Sequence, residues 1–289
     1  MDSLLNDLNI VYLQAILLGL VVGSFINVVV YRLPLMLEQQ WLADCAALLQ
    51  FTPISQTEIL NLSYPSSHCP HCKHHIRPWE NIPIISYLIL CGQCSACKSP
   101  ISLRYPFTEF ICAALTLITV IHFGINWQTI AALFLTWSLL TLSLIDYDTQ
   151  LLPDNITLPL LWLGLLISLA DIFITSTDAI LGAAIGYLSL WSMFQLFRLA
   201  TGKEGMGYGD FKLLAMLGAW LGWQNLPQII ILSACTGASV GIFLIVCRNH
   251  QRDQPIPFGP YLATAGWINL LWGEQINQIY LNWEGFNWC

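Results

Sequence analysis

The chain has 289 residues, of which 56% are apolar and only 9% are charged. A soluble domain carries about 25% charged residues, so this chain has too little charge to cover a water-facing surface, and disorder would need still more charge. The net charge of −7 argues against nucleic acid as a partner, because phosphate binding needs clustered Lys and Arg. The composition therefore predicts an all-α polytopic membrane protein.

A membrane-spanning helix needs about 20 mostly apolar residues, and charge-poor stretches of roughly that length recur along this chain. We predict about eight transmembrane helices. They lie near residues 10–31, 107–125, 128–145, 156–174, 179–197, 213–224, 228–247 and 261–281. The sixth of these stretches is short, and the eighth contains Glu274.

The 10 Lys and Arg residues indicate the orientation of these spans. With eight spans and an external amino terminus, nearly all of them fall in the internal segments, near residues 32–106, 146–155, 198–212 and 248–260. Cytoplasmic loops carry such an excess of basic residues, so we expect both termini to lie outside. The chain then divides into a first span (1–33), a small cytoplasmic domain (34–105) and a seven-span domain (106–289).

Four cysteines in the cytoplasmic segment form two CxxC pairs, Cys69 with Cys72 and Cys94 with Cys97. Two such turns bring four thiolates into the tetrahedron that holds structural Zn²⁺, and a domain this small usually needs a metal or disulfides. Disulfides and free thiols are the alternatives, and a reducing cytoplasm disfavours disulfides. Other side chains beside these pairs could join the site: Cys91, His68, His71, His74 and His75.

Two aspartates stand at the ends of predicted spans, where ionisable residues are costly and are therefore functional candidates. Asp146 ends the third span, and Asp210 begins the sixth. Between them the chain crosses the membrane twice, so both carboxylates return to the cytoplasmic face. Although they are far apart in sequence, they are able to meet there.

Paired carboxylates share one proton, because like charges held together cannot both ionise. The ionised partner accepts a proton from water, and the neutral partner donates one to a scissile carbonyl. Gly207 and Gly209 would let the backbone approach a substrate and adopt conformations barred to other residues, and Pro153 would end or kink the chain after Asp146. Asp148 is the alternative to Asp146, and helix capping is the non-catalytic alternative for these aspartates.

Two signatures of other hydrolases are missing from the sequence, which has no HExxH motif and no Walker-type glycine loop. The ordered motifs instead resemble the bacterial type IV prepilin peptidases, membrane aspartic proteases of the GxGD class. The matching segments are 23–34, the double CxxC, 101–106 with Glu109, Asp146 with Pro153, Gly207–Asp210 and Pro257–Pro260.

The resemblance implies an enzyme of the bacterial inner membrane with two reactions. It would cleave the basic leader from type IV prepilins or type II secretion pseudopilins, and then N-methylate the new terminal residue, usually Phe, with S-adenosylmethionine. By this resemblance Asp146 and Asp210 would be the catalytic residues, and the four CxxC cysteines would be the zinc ligands. No residue is assigned to the methyl donor, and we expect an acidic face of Asp146, Asp148, Asp154 and Asp210 to attract the leader.

Three other functions remain open from the sequence. A GxGD-type intramembrane protease without methyl transfer would use the same aspartates. A transporter could relay ions through its carboxylates, although such proteins often show internal repeats, and none stands out in this sequence. In a zinc-stabilised membrane scaffold, the aspartates would serve only as helix caps.

Overall fold

The structure is a computed structural model that describes residues 2–49, 60–203, 205–248 and 257–283. Within these ranges the regular structure is helical, with no strand, which confirms the all-α class. The helices of these ranges are α1 (Asp2–Leu48), α2 (Ile85–Ile89), α3 (Arg104–Phe123), α4 (Trp127–Thr149), α5 (Asp154–Ser168), α6 (Ser176–Thr201), α7 (Tyr208–Leu221), α8 (Leu226–Arg248) and α9 (Gly259–Trp283). Two 3₁₀ turns, Pro78–Asn81 and Trp223–Asn225, complete them.

Each of the predicted spans corresponds to one helix, α1 or one of α3 to α9. Among the described residues, five helical stretches are long and apolar enough to cross a membrane, and they lie in α1, α3, α4, α6 and α8. Helix α5 is apolar but shorter. The count of eight spans therefore stays a prediction, and the carboxyl terminus predicted to lie outside falls beyond the described residues.

The chain forms two compact units, Met1–Ile125 and Asn126–Cys289, so the three-part division expected from the sequence stays a prediction. In the first unit α1 packs against α3, and glycines allow the close approach. A side chain on Gly19 would lie 2.6 Å from the Cα of Ala113. Helix α1 also continues through Pro34 to Leu48, past the predicted boundary at residue 33, because the residues that follow are mostly strong helix formers.

Two buried charged side chains attach the cysteine-containing segment to α1 and α3. The guanidinium of Arg32 in α1 donates to the carbonyl oxygens of Asn61, at 3.0 Å, and Pro65, at 2.6 Å. The carboxylate of Glu109 in α3 accepts a hydrogen bond of 2.8 Å from the backbone N–H of Ile84. These bonds satisfy polar groups that would otherwise be buried without partners.

Helix α7 is the core of the second unit, and nearly all of its residues are buried. Helices α5, α6 and α9 pack around it. The contact with α6 is between backbones, because a Cβ on Gly182 would lie 2.1 Å from the carbonyl oxygen of Gly218. On the α5 side the indole N–H of Trp220 donates to the carbonyl of Leu160 at 2.8 Å. Helix α7 is thereby held on two sides.

Candidate functional site

Asp146 lies in the last turn of α4, which ends because Gln150 takes a left-handed conformation. The carboxyl end of a helix carries partial negative charge, which is an unfavourable place for a carboxylate. The Asp146 side chain is nevertheless only 5% exposed. Its Oδ2 accepts a hydrogen bond of 2.9 Å from the backbone N–H of Gly259, the first residue of α9. The amino-terminal end of one helix thus offsets the carboxyl-terminal end of another.

Asp210 lies in the first turn of α7, three residues after the helix cap Gly207. Its side chain is 9% exposed, and the backbone N–H of Gly207 faces its carboxylate. An acidic residue that reaches back to the cap is a favourable arrangement at a helix start. The hydrogen bond from Gly207 therefore offsets part of the cost of burying this carboxylate.

The structure brings Asp146 and Asp210 together, as the two membrane crossings between them predicted. The two carboxyl groups are close enough to interact electrostatically. They come from opposite helix ends, the end of α4 and the start of α7, and the start of α9 adds the N–H donor of Gly259. Two buried carboxyl groups that interact are an arrangement in which one can serve as general base and the other as general acid.

The glycines beside Asp210 act differently from the sequence-based expectation. Gly207 has φ −78°, and neither it nor Gly209 is among the described glycines with positive φ, so unusual backbone conformation is not their role. Gly209 is needed for space, because a Cβ there would lie 2.8 Å from the Cβ of Leu152. Pro153 ends this connection as the amino-terminal cap of α5. The small side chain therefore lets the start of α7 approach the segment that follows Asp146.

Asp148 and Asp154 lie outside the buried pair. Asp148 is exposed, because residues two apart on a helix point in different directions. Asp154 begins α5, and both of its carboxylate oxygens lie 2.7 Å from the ammonium of Lys212. Its charge is therefore balanced by a cation, which weakens its expected part in attracting a basic leader.

A separate cluster in the first unit consists of the four CxxC cysteines, Cys69, Cys72, Cys94 and Cys97. All four Sγ atoms lie within 4.8 Å of one another. The Sγ separation is 3.8 Å between Cys69 and Cys97 and 4.0 Å between Cys72 and Cys94. Tetrahedral zinc with bonds of about 2.3 Å needs sulfur atoms about 3.8 Å apart, so the residues fit this metal.

The two CxxC turns have equivalent backbones. In the first, the backbone N–H of Lys73 donates to the carbonyl of Cys69, and the backbone N–H of Cys69 donates to the carbonyl of His74. In the second, the backbone N–H of Lys98 donates to the carbonyl of Cys94, and the backbone N–H of Cys94 donates to the carbonyl of Ser99. Both lysines have φ 60°. Each turn therefore presents its two thiols in the same way, and together they form a four-sulfur site.

The other candidate ligands of the described segment stay outside this four-sulfur group, which contains neither Cys91 nor a histidine. Cys91 is exposed. His74 instead lies 3.5 Å from Glu80, whose carboxylate accepts a hydrogen bond from the backbone N–H of Arg77. That hydrogen bond, with one from Ser95, holds the pKa of Glu80 below its usual range. Glu80 thereby connects the two CxxC turns.

Sequence reasoning assigned no role to three residues that contact these sites. They are Gly259 at Asp146, Lys212 at Asp154, and Ser99, whose hydroxyl lies 3.1 Å from the Sγ of Cys97. Lys212 carried a usable signal, because a basic residue two positions after Asp210 needs a partner, and Gly259 lies in the matching segment Pro257–Pro260. A backbone N–H and a single serine hydroxyl have no such signature.

Two family models match the chain. The model described as Bacterial Peptidase A24 N-terminal domain matches residues 17–123, and the model described as Type IV leader peptidase family matches residues 133–242. The first match covers the four cysteines, and the second covers both buried aspartates.

Curated proteins match over nearly the whole chain. A prepilin leader peptidase/N-methyltransferase of Pseudomonas aeruginosa is 57% identical over 95% of this chain and 94% of its own length. Proteins of the same name from Stutzerimonas stutzeri and Legionella pneumophila are 55% and 44% identical, over 93% and 94% of this chain and 93% and 95% of their own lengths. No solved structure matches the chain.

Proposed function

This chain belongs to the type IV leader peptidase family, and on that basis we propose that it cleaves prepilin leaders with a dyad formed by Asp146 and Asp210. The chain has the leader-peptidase and N-methyltransferase activities that its resemblance to the family implied. The observation that supports the dyad is the burial of two interacting carboxyl groups where α4 ends and α7 begins.

Hydrolysis by this pair needs no covalent intermediate. The oxygen of a water molecule bonds to the scissile carbonyl carbon while the ionised carboxylate takes the water proton. The neutral carboxyl group gives its proton to the carbonyl oxygen. When the resulting diol collapses, the carbon–nitrogen bond breaks and the nitrogen takes up a proton. The products are a leader with a free carboxyl group and a pilin with a free amino terminus.

The second reaction uses that free amino terminus. The amine nitrogen attacks the methyl carbon of S-adenosylmethionine, S-adenosylhomocysteine leaves, and the nitrogen loses a proton. The methyl donor is a substrate of this reaction. Because cleavage creates the acceptor amine, methylation follows cleavage. We assign no residue of the chain to the donor, and we expect the methylated residue to be Phe in most substrates.

We infer that Cys69, Cys72, Cys94 and Cys97 hold one structural Zn²⁺. The sulfur separations support this, because they match a tetrahedral ion with all four positions filled by protein. Bound zinc would fix the two CxxC turns against each other and stabilise a segment too small for a large apolar core. It would have no part in the hydrolysis.

We also infer that the enzyme lies in the bacterial inner membrane, with the dyad and the zinc domain on the cytoplasmic side and both termini outside. The distribution of the basic residues supports this orientation. The lipid bilayer and a membrane-anchored prepilin or pseudopilin would be its partners.

The test follows both reactions at once. Purified enzyme is mixed with a prepilin and S-adenosylmethionine, and mass spectrometry records loss of the leader and gain of a methyl group. Asp146→Asn and Asp210→Asn should each lower cleavage by about 10²- to 10⁴-fold, while zinc content and thermal stability are kept. Asp171→Asn, at an exposed carboxylate, is the matched control. Cleavage retained in either dyad variant would refute the dyad.

A further inference from the structure

The start of α9 places a single backbone N–H against Asp146. The amides of Tyr261 and Leu262 both donate to the carbonyl of Phe258, and Pro260 has no N–H. The N–H of Gly259 is therefore the donor of this helix start that points at the carboxylate, at 2.9 Å from Oδ2. Such terminal N–H groups have no partner inside their own helix, so this bond also satisfies the helix end.

The same residue leaves room for the carboxylate. A Cβ on Gly259 would lie 2.6 Å from Oδ2 and 3.0 Å from Cγ of Asp146, which is too close for any side chain. Gly259 is not among the described glycines with positive φ, so its backbone would accept other residues. Space beside Asp146, not backbone conformation, is what requires glycine here.

We propose that Gly259 is a positioning residue for leader cleavage, an inference that rests on the proposed function of the dyad. Its N–H holds one oxygen of Asp146, and its bare Cα lets the carboxyl group lie beside Asp210. The other oxygen, Oδ1, is left to face the water and the scissile carbonyl. Because the dyad works only in one geometry, a displacement of about 1 Å is enough to lower the rate about 100-fold.

The variant that tests this is Gly259→Ala, and Gly266→Ala is its matched control. Both add one methyl group to α9 at a tight contact, since a Cβ on Gly266 would lie 2.5 Å from the side chain of Leu217. Only the first methyl group meets Asp146. Both variants are assayed for cleavage of a prepilin and, separately, for methylation of a pilin whose leader has already been removed.

We expect Gly259→Ala to lower kcat for cleavage about 100-fold with KM nearly unchanged, and to keep methylation of the leaderless pilin. In Gly266→Ala the ratio of the cleavage rate to the methylation rate should stay at the wild-type value, even if this variant is less stable. If cleavage and methylation fall together in Gly259→Ala, or if cleavage stays at the wild-type rate, the proposal is overturned.

A second measurement holds even if Gly259→Ala folds poorly. Replacing Asp146 by Ala removes the carboxylate that the new methyl group would strike, so Asp146→Ala should restore much of the thermal stability lost in Gly259→Ala. It should restore none of the stability lost in Gly266→Ala. If Asp146→Ala restores no stability to Gly259→Ala, the close contact between residue 259 and the Asp146 carboxylate is contradicted. If Asp146→Asn cleaves normally, the dyad is wrong; if only Gly259→Ala does, the dyad stands and the positioning role is wrong.

Discussion

The ammonium of Lys212 lies 2.7 Å from both carboxylate oxygens of Asp154, so this ion pair ties the start of α7 to the start of α5. Lys212 follows Asp210 by two residues, and Asp154 follows Pro153 directly. The two segments that carry the candidate site residues are therefore joined by an electrostatic contact outside the buried dyad.

The ion pair between Lys212 and Asp154 is expected to contribute modestly to stability. A double-mutant cycle of Lys212→Met and Asp154→Asn should give a coupling free energy of about 0.5 kcal/mol, because the pair is solvent-accessible, and the coupling should shrink in high salt. Asp154→Asn alone should leave KM for a basic leader nearly unchanged, since Lys212 already balances that charge. Thermal unfolding and cleavage kinetics measure these effects, with Lys203→Met as the control. A coupling of zero would show that the contact has no energetic weight.

Asp148 is expected to be dispensable for cleavage. It is exposed whereas Asp146 is buried, so Asp148→Asn should retain leader cleavage within about threefold, and Asp146→Asn should lose it. Both variants remove one negative charge from the same helix end, which makes them a matched pair. The measurement is the cleavage rate by mass spectrometry. If Asp148→Asn were inactive and Asp146→Asn active, the catalytic aspartate would be the other one.

The site could be predicted from sequence where it depends on residue type and chain direction. Because the chain is expected to cross the membrane twice between them, Asp146 and Asp210 were predicted to lie on one face. The CxxC spacing predicted the four-sulfur site. The contact of Asp146 with Gly259 joins residues 113 positions apart through a backbone N–H, which every residue but proline has, so residue type alone does not predict it. Likewise, the first span was expected to end at residue 33, yet α1 continues through Pro34 because its neighbours favour helix strongly enough.

Ser99 is expected to strengthen zinc binding without being a ligand. Its hydroxyl lies 3.1 Å from the Sγ of Cys97 and 3.7 Å from that of Cys69, where it can donate to thiolates. Ser99→Ala should weaken zinc affinity about 10-fold, as loss of an outer hydrogen bond does in metal sites. Competition with a chelator, followed by a zinc-sensitive dye, measures the change. Ser63→Ala, at an exposed serine of the same segment, should have no effect, and equal affinity in both variants would contradict the role.

Arg32 is expected to be poorly replaced by lysine. Its planar guanidinium reaches the carbonyls of Asn61 and Pro65 with two different nitrogens, and a single ammonium cannot match that geometry. Arg32→Lys should cost about 2 kcal/mol, because the side chain at this buried position loses at least one hydrogen bond of a charged donor. Thermal unfolding and protease sensitivity near residues 61–65 measure the loss. Arg198→Lys, at an exposed arginine, should be neutral, and an equally small effect at Arg32 would refute the anchoring role.

The backbone contact of Gly182 with Gly218 bears on how a substrate gains entry. Both dyad carboxyl groups are buried, so some part of the unit has to open before a pilin segment reaches them. No side chain separates α6 from α7 at this contact, so we expect these two helices, and Asp210 with them, to move little relative to each other. The gate is then expected at the start of α9. Hydrogen exchange should show amides of 258–262 changing protection when an uncleavable prepilin binds, with those of 214–218 unchanged; the reverse pattern would place the gate between α6 and α7. Asp210 is thus expected to stay in place on α7, whereas Asp146 contacts the segment that is expected to move.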